Sequence, residues 1–206
     1  MISHIIERRN QMSTNAKNVS TGKPRVGGSV FFAPLGTTAP TDATSTLSSA
    51  FKNMGYISDD GVSKEETRDS SEIKAWGGDV VLEPQTGKSD NYKMTFIESM
   101  NLEVLKAVHG KDNVSGTLAT GVHVKANSKE LDYGVWVIDT ILNGDVLKRD
   151  VIPYGRIKEV AEVQYKDDSA IGYEVTIGAY PDSGGDTHHE YMQNTPSGTS
   201  ESTSAT

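Results

Sequence analysis

Leu131-Asp132-Tyr133-Gly134-Val135-Trp136-Val137-Ile138-Asp139-Thr140-Ile141-Leu142-Asn143-Gly144-Asp145-Val146-Leu147-Lys148-Arg149-Asp150-Val151-Ile152 is the stretch that decides the fold class. Leu131 to Leu142 is apolar on both faces, with Tyr133, Val135 and Val137 on one and Trp136 and Ile138 on the other. That pattern predicts a central strand covered on both sides. An Asn-Gly pair between two β runs predicts a hairpin into Val146–Ile152, because a type I′ turn needs φ > 0 twice. A second hairpin is expected from Ile157–Tyr165, the turn Lys166-Asp167-Asp168-Ser169 and Ile171–Ala179. In that last strand Ile171, Tyr173, Val175, Ile177 and Ala179 alternate with Gly172, Glu174, Thr176 and Gly178. This is period-2 amphipathicity.

Upstream, Leu118, Thr120, Val122 and Val124 fall on one face of a predicted strand. Before it comes the one predicted helix, capped by Asn101 or Ser99, with Leu102, Leu105 and Val108 at helical spacing and Gly110 as its stop. Tyr92, Met94 and Phe96 alternate with polar neighbours as a half-buried strand. Pro84 to Asp90 reads as a polar loop, and Ile73–Trp76 and Asp79–Glu83 as two strand pieces broken or bulged at Gly77-Gly78. Val26–Ala33 is a first strand ending at Pro34. Pro34 to Ser49 is rich in Thr, Ser, Ala and Pro with too little apolar content to pack on its own, apart from a helical turn near Leu47–Phe51. Asp59-Asp60-Gly61 is a turn signal.

The chain has 206 residues, 20 of them Gly, with 20 Lys+Arg against 28 Asp+Glu and no Cys. The net charge of -8 argues against a surface that grips nucleic acid, which needs clustered cations. Zero Cys removes disulfides, thiolate metal sites and a Cys nucleophile. No apolar run approaches the roughly 18 residues of a membrane span, and no signal-peptide core follows the first charges, so a soluble protein made in the cytosol is expected. Hydrophobic content of 35% points to a real core diluted by polar segments. Residues 1–23 are read as a flexible N-terminal extension and arm, 24–181 as a β-sandwich domain, and 182–206 as a flexible polar C-terminal tail. Glu7-Arg8-Arg9 back-translates to a purine-rich stretch containing AGGAG, resembling a bacterial ribosome-binding site for a start at Met12. Residues 1–11 would then lie upstream of the natural start, and their loss moves the charge from -8 to -9.

Catalytic motifs are weak. His188-His189-Glu190 would put its histidines on opposite sides of a strand, and a polar tail offers no supporting partners for a metal. Asp59 to Glu66 is acidic like a calcium loop without that loop's ligand spacing. Gly77-Gly78 and Gly184-Gly185 lack the Lys-Ser/Thr of a phosphate loop, and no Gly-x-Ser-x-Gly elbow is present. The expectation is no enzyme, no cofactor and no metal.

Gly22-Lys23-Pro24 followed by Val26-Gly27-Gly28-Ser29-Val30-Phe31-Phe32-Ala33-Pro34-Leu35-Gly36-Thr37 resembles the opening of the major tail, or tail tube, proteins of long-tailed siphophages. The resemblance continues through Pro40-Thr41-Asp42, Phe51 to Met54, Gly55 to Val62, Ile73-Lys74-Ala75-Trp76-Gly77-Gly78 and the strand–helix unit Thr95–Gly110. It implies a mainly β protein: a tail-tube-like β-sandwich with one flanking α-helix, a long inter-strand loop, a flexible N-terminal arm and a C-terminal tail. It also implies hexameric rings stacked into a virion tube that delivers genomic DNA, which passes without specific binding. Its partners would be itself, the tape-measure protein, the tail terminator and distal tail proteins, with no membrane. The inter-ring loop is expected in residues 34–70, with Pro34, Leu35, Phe51, Tyr56 and Asp60 as candidates. Since a basic bore would hold DNA back, Glu72, Asp79, Glu83, Asp90 and Glu98 are candidate lumen carboxylates, with Lys74 and Lys93 working against a uniformly negative wall. A β-sandwich adhesin or capsid-decorating protein is the alternative class, and a hydrolase, with a pocket of convergent His and carboxylates, the third.

Overall fold

A computed structural model describes residues 14–143 and 146–195. The extension 1–11, the proposed start at Met12, Gly144 of the hairpin turn and residues 196–206 lie outside the described residues. Along the chain come β1 (Lys23–Pro24), β2 (Val30–Pro34), β3 (Lys52–Asn53) and β4 (Ile57–Ser70). A short pair, β5 (Ile73–Lys74) and β6 (Val80–Leu82), leads to β7 (Gln85–Phe96) and helix α1 (Leu102–His109). Next are β8 (Val114–Thr117), β9 (Gly121–Val124), β10 (Gly134–Leu142), β11 (Val146–Val160), β12 (Tyr173–Ala179) and β13 (His189–Asn194). The protein is mainly β, and α1 is the one α-helix among the described residues.

β10 is the central strand that its two apolar faces predict: every residue from Gly134 to Asp139 is buried. It pairs antiparallel with β2 on one edge and β11 on the other. β11 runs for 15 residues and has two successive partners on its far edge, β13 along Val146–Val151 and β12 along Gly155–Val160. The change of partner coincides with a bulge. Between the pairs Trp136↔Ile152 and Gly134↔Gly155, β10 advances two residues and β11 three. The extra residue falls at Pro153-Tyr154, where a proline lacking an N–H is tolerated. The two halves of the sheet, β3-β2-β10-β11-β13 and β11-β12-β7-β4, enclose one core containing Val30, Trp136, Ile152, Tyr92, Met94, Phe96 and Val175. Trp136 lies at its centre, with its ring 4.5 Å from Phe32 and 6.4 Å from Phe96. α1 adds Val104 and Val108. Asn101 caps the helix by accepting the Glu103 N–H, and Gly110 ends it at φ 93, as the sequence predicts.

Residues 34–51, the first part of the inter-ring loop expected in residues 34–70, pack back on the sheet. Ala39, Leu47, Ala50 and Phe51 pack on the opposite face of β2, β10 and β11, against Ala33, Val135, Val137 and Val151. A small number of well-placed apolar side chains is enough when a flat apolar face already exists. Polar bonds hold the segment too. Arg149, 1% exposed, donates to both carboxylate oxygens of Asp139 at 2.7 and 2.8 Å and to the carbonyls of Ser45 and Asp42 at 2.9 and 3.1 Å. Asp139 also accepts from Arg25 at 3.2 Å, which ties the arm to the sheet beside the β1–β10 pairing.

Other expectations change. Residues 146–165, read as two strands, are one bent strand to Val160. Val114–Val124 is instead a tight β8–β9 hairpin turning at Thr117–Thr120, with Gly116 at φ 84 where a Cβ would come 1.9 Å from the Gly121 carbonyl oxygen. Pro84–Asp90 is largely strand: β7 begins at Gln85, its polar side chains compatible with a ribbon wet on both sides. The reading of 182–206 as a flexible tail fails for its first part. β13 pairs with β11 from Val151↔His189 to Val146↔Asn194, and Tyr191 packs into the second core.

Removing Arg149 strands a buried carboxylate and frees residues 42–45. Arg149→Ala is expected to cost about 3–5 kcal/mol in urea unfolding, while the apolar Arg149→Met loses less.

Candidate functional site

β4 and β7 form a hairpin far longer than the body it grows from. Pairing runs from Val62↔Met94 to Ser70↔Gln85 and continues through the Ser71 N–H to Pro84 carbonyl bond of 3.0 Å into β5 and β6. The chain reverses at Trp76-Gly77-Gly78, with both glycines at positive φ (122 and 102); the glycine pair is therefore a turn, neither a break nor a bulge. All residues from Arg68 to Thr86 are exposed. At roughly 3.3 Å per residue, the tip stands about 25 Å beyond Arg68. The tip is apolar: Ile73, Val80, Val81 and Leu82 are about half exposed and Trp76 entirely so. A two-stranded ribbon is marginal alone in water, and exposed clustered apolar side chains mark interaction sites.

The hairpin root is bound to the body by a charge network. Lys64 Nζ lies 2.6 Å from Glu190, 2.7 Å from Glu66 and 2.7 Å from His188 Nε2. Lys88 Nζ is 2.6 Å from Asp90, which also accepts from Thr187 and lies 3.3 Å from His188 Nδ1. From β11, Lys148 reaches Glu190 at 2.9 Å and Asp150 at 3.7 Å. Thus β4 and β7 are held to β11 and β13 by alternating signs. Burial pushes the Asp150 carboxyl up to about 6. Burial acts on Glu190 as well, yet hydrogen bonds from Lys64 and Lys148 hold it down at about 2. Burial, then Lys64, lowers His188. His188 and His189 do diverge: His189 lies 3.8 Å from Asp182, outside the network. Among the described residues no group of three or more His, Asp or Glu side chains could hold a metal ion.

The other face of the β11-β12-β7-β4 half is polar and uncovered. Ser63 and Glu65 of β4, Asn91, Lys93 and Thr95 of β7, and Glu174 and Thr176 of β12 alternate with the core residues. Lys93 and Glu174 pair at 2.5 Å.

The sequence-derived site residues separate. Glu72, Asp79 and Glu83 sit on the exposed hairpin end, where Glu72 pairs with Lys74 at 3.1 Å and Glu83 accepts from Ser70. Asp90 is 1% exposed and belongs to the charge network, so it lines no surface. Glu98 accepts the Tyr56 N–H at 2.9 Å and the Asn101 amide at 2.9 Å, and braces the start of α1. Of the loop candidates, Phe51 is buried, Pro34 ends β2, and Leu35, Tyr56 and Asp60 are exposed near the body. Asp60 and Gly61 make a bulge inside β4, where β4 advances five residues from Ile57 to Val62 while β7 advances two. Sequence reading missed the hairpin because its stem is polar on both sides. The signal available was the pairing of two long polar runs across Trp76-Gly77-Gly78.

Asp150 holds its proton more tightly folded than unfolded, so its stabilising contribution is full below about pH 4 and lost as pH rises through about 6. The contribution of His188, lowered, is present above its ordinary value and lost as pH falls. Asp150→Asn is expected to raise the urea midpoint above the native protein's at pH 7.5 and to lose that advantage at pH 5. An equal displacement at both pH values would show that Asp150 does not titrate there.

A family model described as phage tail tube protein matches residues 12–203, and the chain belongs to that family. A search of curated proteins finds no match.

Proposed function

We propose that this member of the phage tail tube family works by polymerising, as stacked hexameric rings, into the conduit through which genomic DNA leaves a siphophage virion. The family is one of structural virion proteins. The observation that carries the finer reading is the projecting hairpin: an apolar end held about 25 Å from the body has no use in a solitary subunit and suits a contact between copies. Residues 71–84 take the inter-ring role assigned from sequence to residues 34–70.

The uncovered polar face of β11-β12-β7-β4 is the part of the surface best suited to the bore. Its Ser, Thr and Asn side chains present neutral hydrogen-bonding groups, and the Lys93–Glu174 pair cancels its own charge. Such a wall neither binds phosphates through counterion release nor repels them strongly. Glu65 and Glu174 replace the earlier carboxylate candidates there. Assembly around a tape-measure protein, between a tail terminator and distal tail proteins, follows from this role, with DNA passing and no specific site for it.

Replacing residues 71–84 by Asn-Gly tests the reading. The β4–β7 stem can close on a two-residue turn, so the variant is expected to keep the native far-UV spectrum and melting transition. In negative-stain images the unaltered chain should give rings or tubes and the variant none. Tubes of normal appearance from the variant would end the hairpin's role.

A further inference from the structure

Resting on that reading, we propose that the hairpin end docks into a cleft on a second copy of this chain, formed where β11 outruns β10. β10 has its last partner on β11 at Gly155, and β11 continues to Val160 with β12 alone beside it. The vacated side is flanked by Lys129, Glu130 and Leu131, leaving a cleft of about 300 Å³ with Leu131, Ile157 and Val160 as its apolar lining.

Three properties of the two surfaces match. The first is backbone: an unpaired sheet edge accepts an incoming strand, and β5 and β6 supply a ribbon whose outer edges pair with no other strand among the described residues. The second is size and chemistry. Trp76, wholly exposed at the reversal, is an anchor of the kind that fills a partly apolar cleft. The third is charge. Lys158 on the cleft and Asp79, three residues past Trp76, are both exposed, and neither has an ion-pair or side-chain hydrogen-bond partner among the described residues. With Trp76 against Leu131 and Val160, Asp79 pairs with Lys158. The other cleft cations are engaged already: Arg156 bonds Glu130 at 2.7 Å, and Lys129 bonds Asp112 at 3.1 Å. Lys158 is thus the cation open to a partner.

The chain contains no cysteine, which makes disulfide trapping clean. Full-length protein carrying Trp76→Cys is mixed with full-length protein carrying Val160→Cys, assembled and oxidised. A cross-linked dimer is expected from the mixture and from neither variant alone. Charge reversal is the second measurement and leaves Trp76 intact. Asp79→Lys and Lys158→Asp should each lower tube yield at least tenfold, and the double reversal should restore it. Unchanged yield from the single reversals, or a double variant no better than either, overturns the proposal. If tubes form but neither the cross-link nor the rescue appears, this cleft is wrong and the tube assignment stands. If the unaltered chain forms no rings or tubes, both fall.

Discussion

The fold depends on one strand belonging to both halves of the sheet. β11 pairs with β13 before Pro153 and with β12 after it, and the bulge at Pro153-Tyr154 lets the sheet close over its own core. The rest of the structure inherits from that bend. It buries Trp136 between the halves, turns the polar face of β12, β7 and β4 outward, and leaves the last five residues of β11 without β10. A straight β11 would give a flat sheet with neither an enclosed core nor a vacated edge.

The charge network between hairpin and body is a second consequence. At the root of the hairpin the apolar core gives way to Lys64, Glu66, Lys88, Asp90, Lys148, Asp150, His188 and Glu190, of which Asp90 and Asp150 are buried and Glu66, Lys88 and Glu190 exposed. Three lysines face four carboxylates, so the set carries one surplus negative charge while His188 is neutral, and below about pH 6 a proton on Asp150 offsets it. Buried ion pairs add little net stability compared with apolar packing. Their directional geometry instead fixes the angle at which a long ribbon leaves the body.

The body was legible because its strands obey simple periods. β10 reads as doubly covered from Val135, Trp136, Val137 and Ile138, β12 and β7 from strict alternation, and α1 from its cap, stripe and terminal glycine. The parts proposed to carry assembly were less so, for physical reasons. β4 beyond Val62 and the first half of β7 are polar on both sides, so no hydrophobic period distinguishes them from loop. β13 has the composition of a tail and gains its order from β11 and from Lys64 and Lys148. Asp90 looks like any strand carboxylate, and its burial depends on residues about a hundred positions away in Thr187 and His188. The segment 34–51 has few apolar residues, and only the second face of β10 gives them somewhere to go.

In the proposed tube, a ribbon that lacks support until it meets a neighbour also shapes the kinetics of growth. Two free subunits that collide must order a marginal hairpin and gain a single contact, so starting a new tube is unfavourable. A subunit landing on a completed ring of the proposed tube would meet a row of clefts already in place, so extension would be favoured over nucleation. Subunits with this architecture would then assemble after a lag, which a template offering the first ring removes.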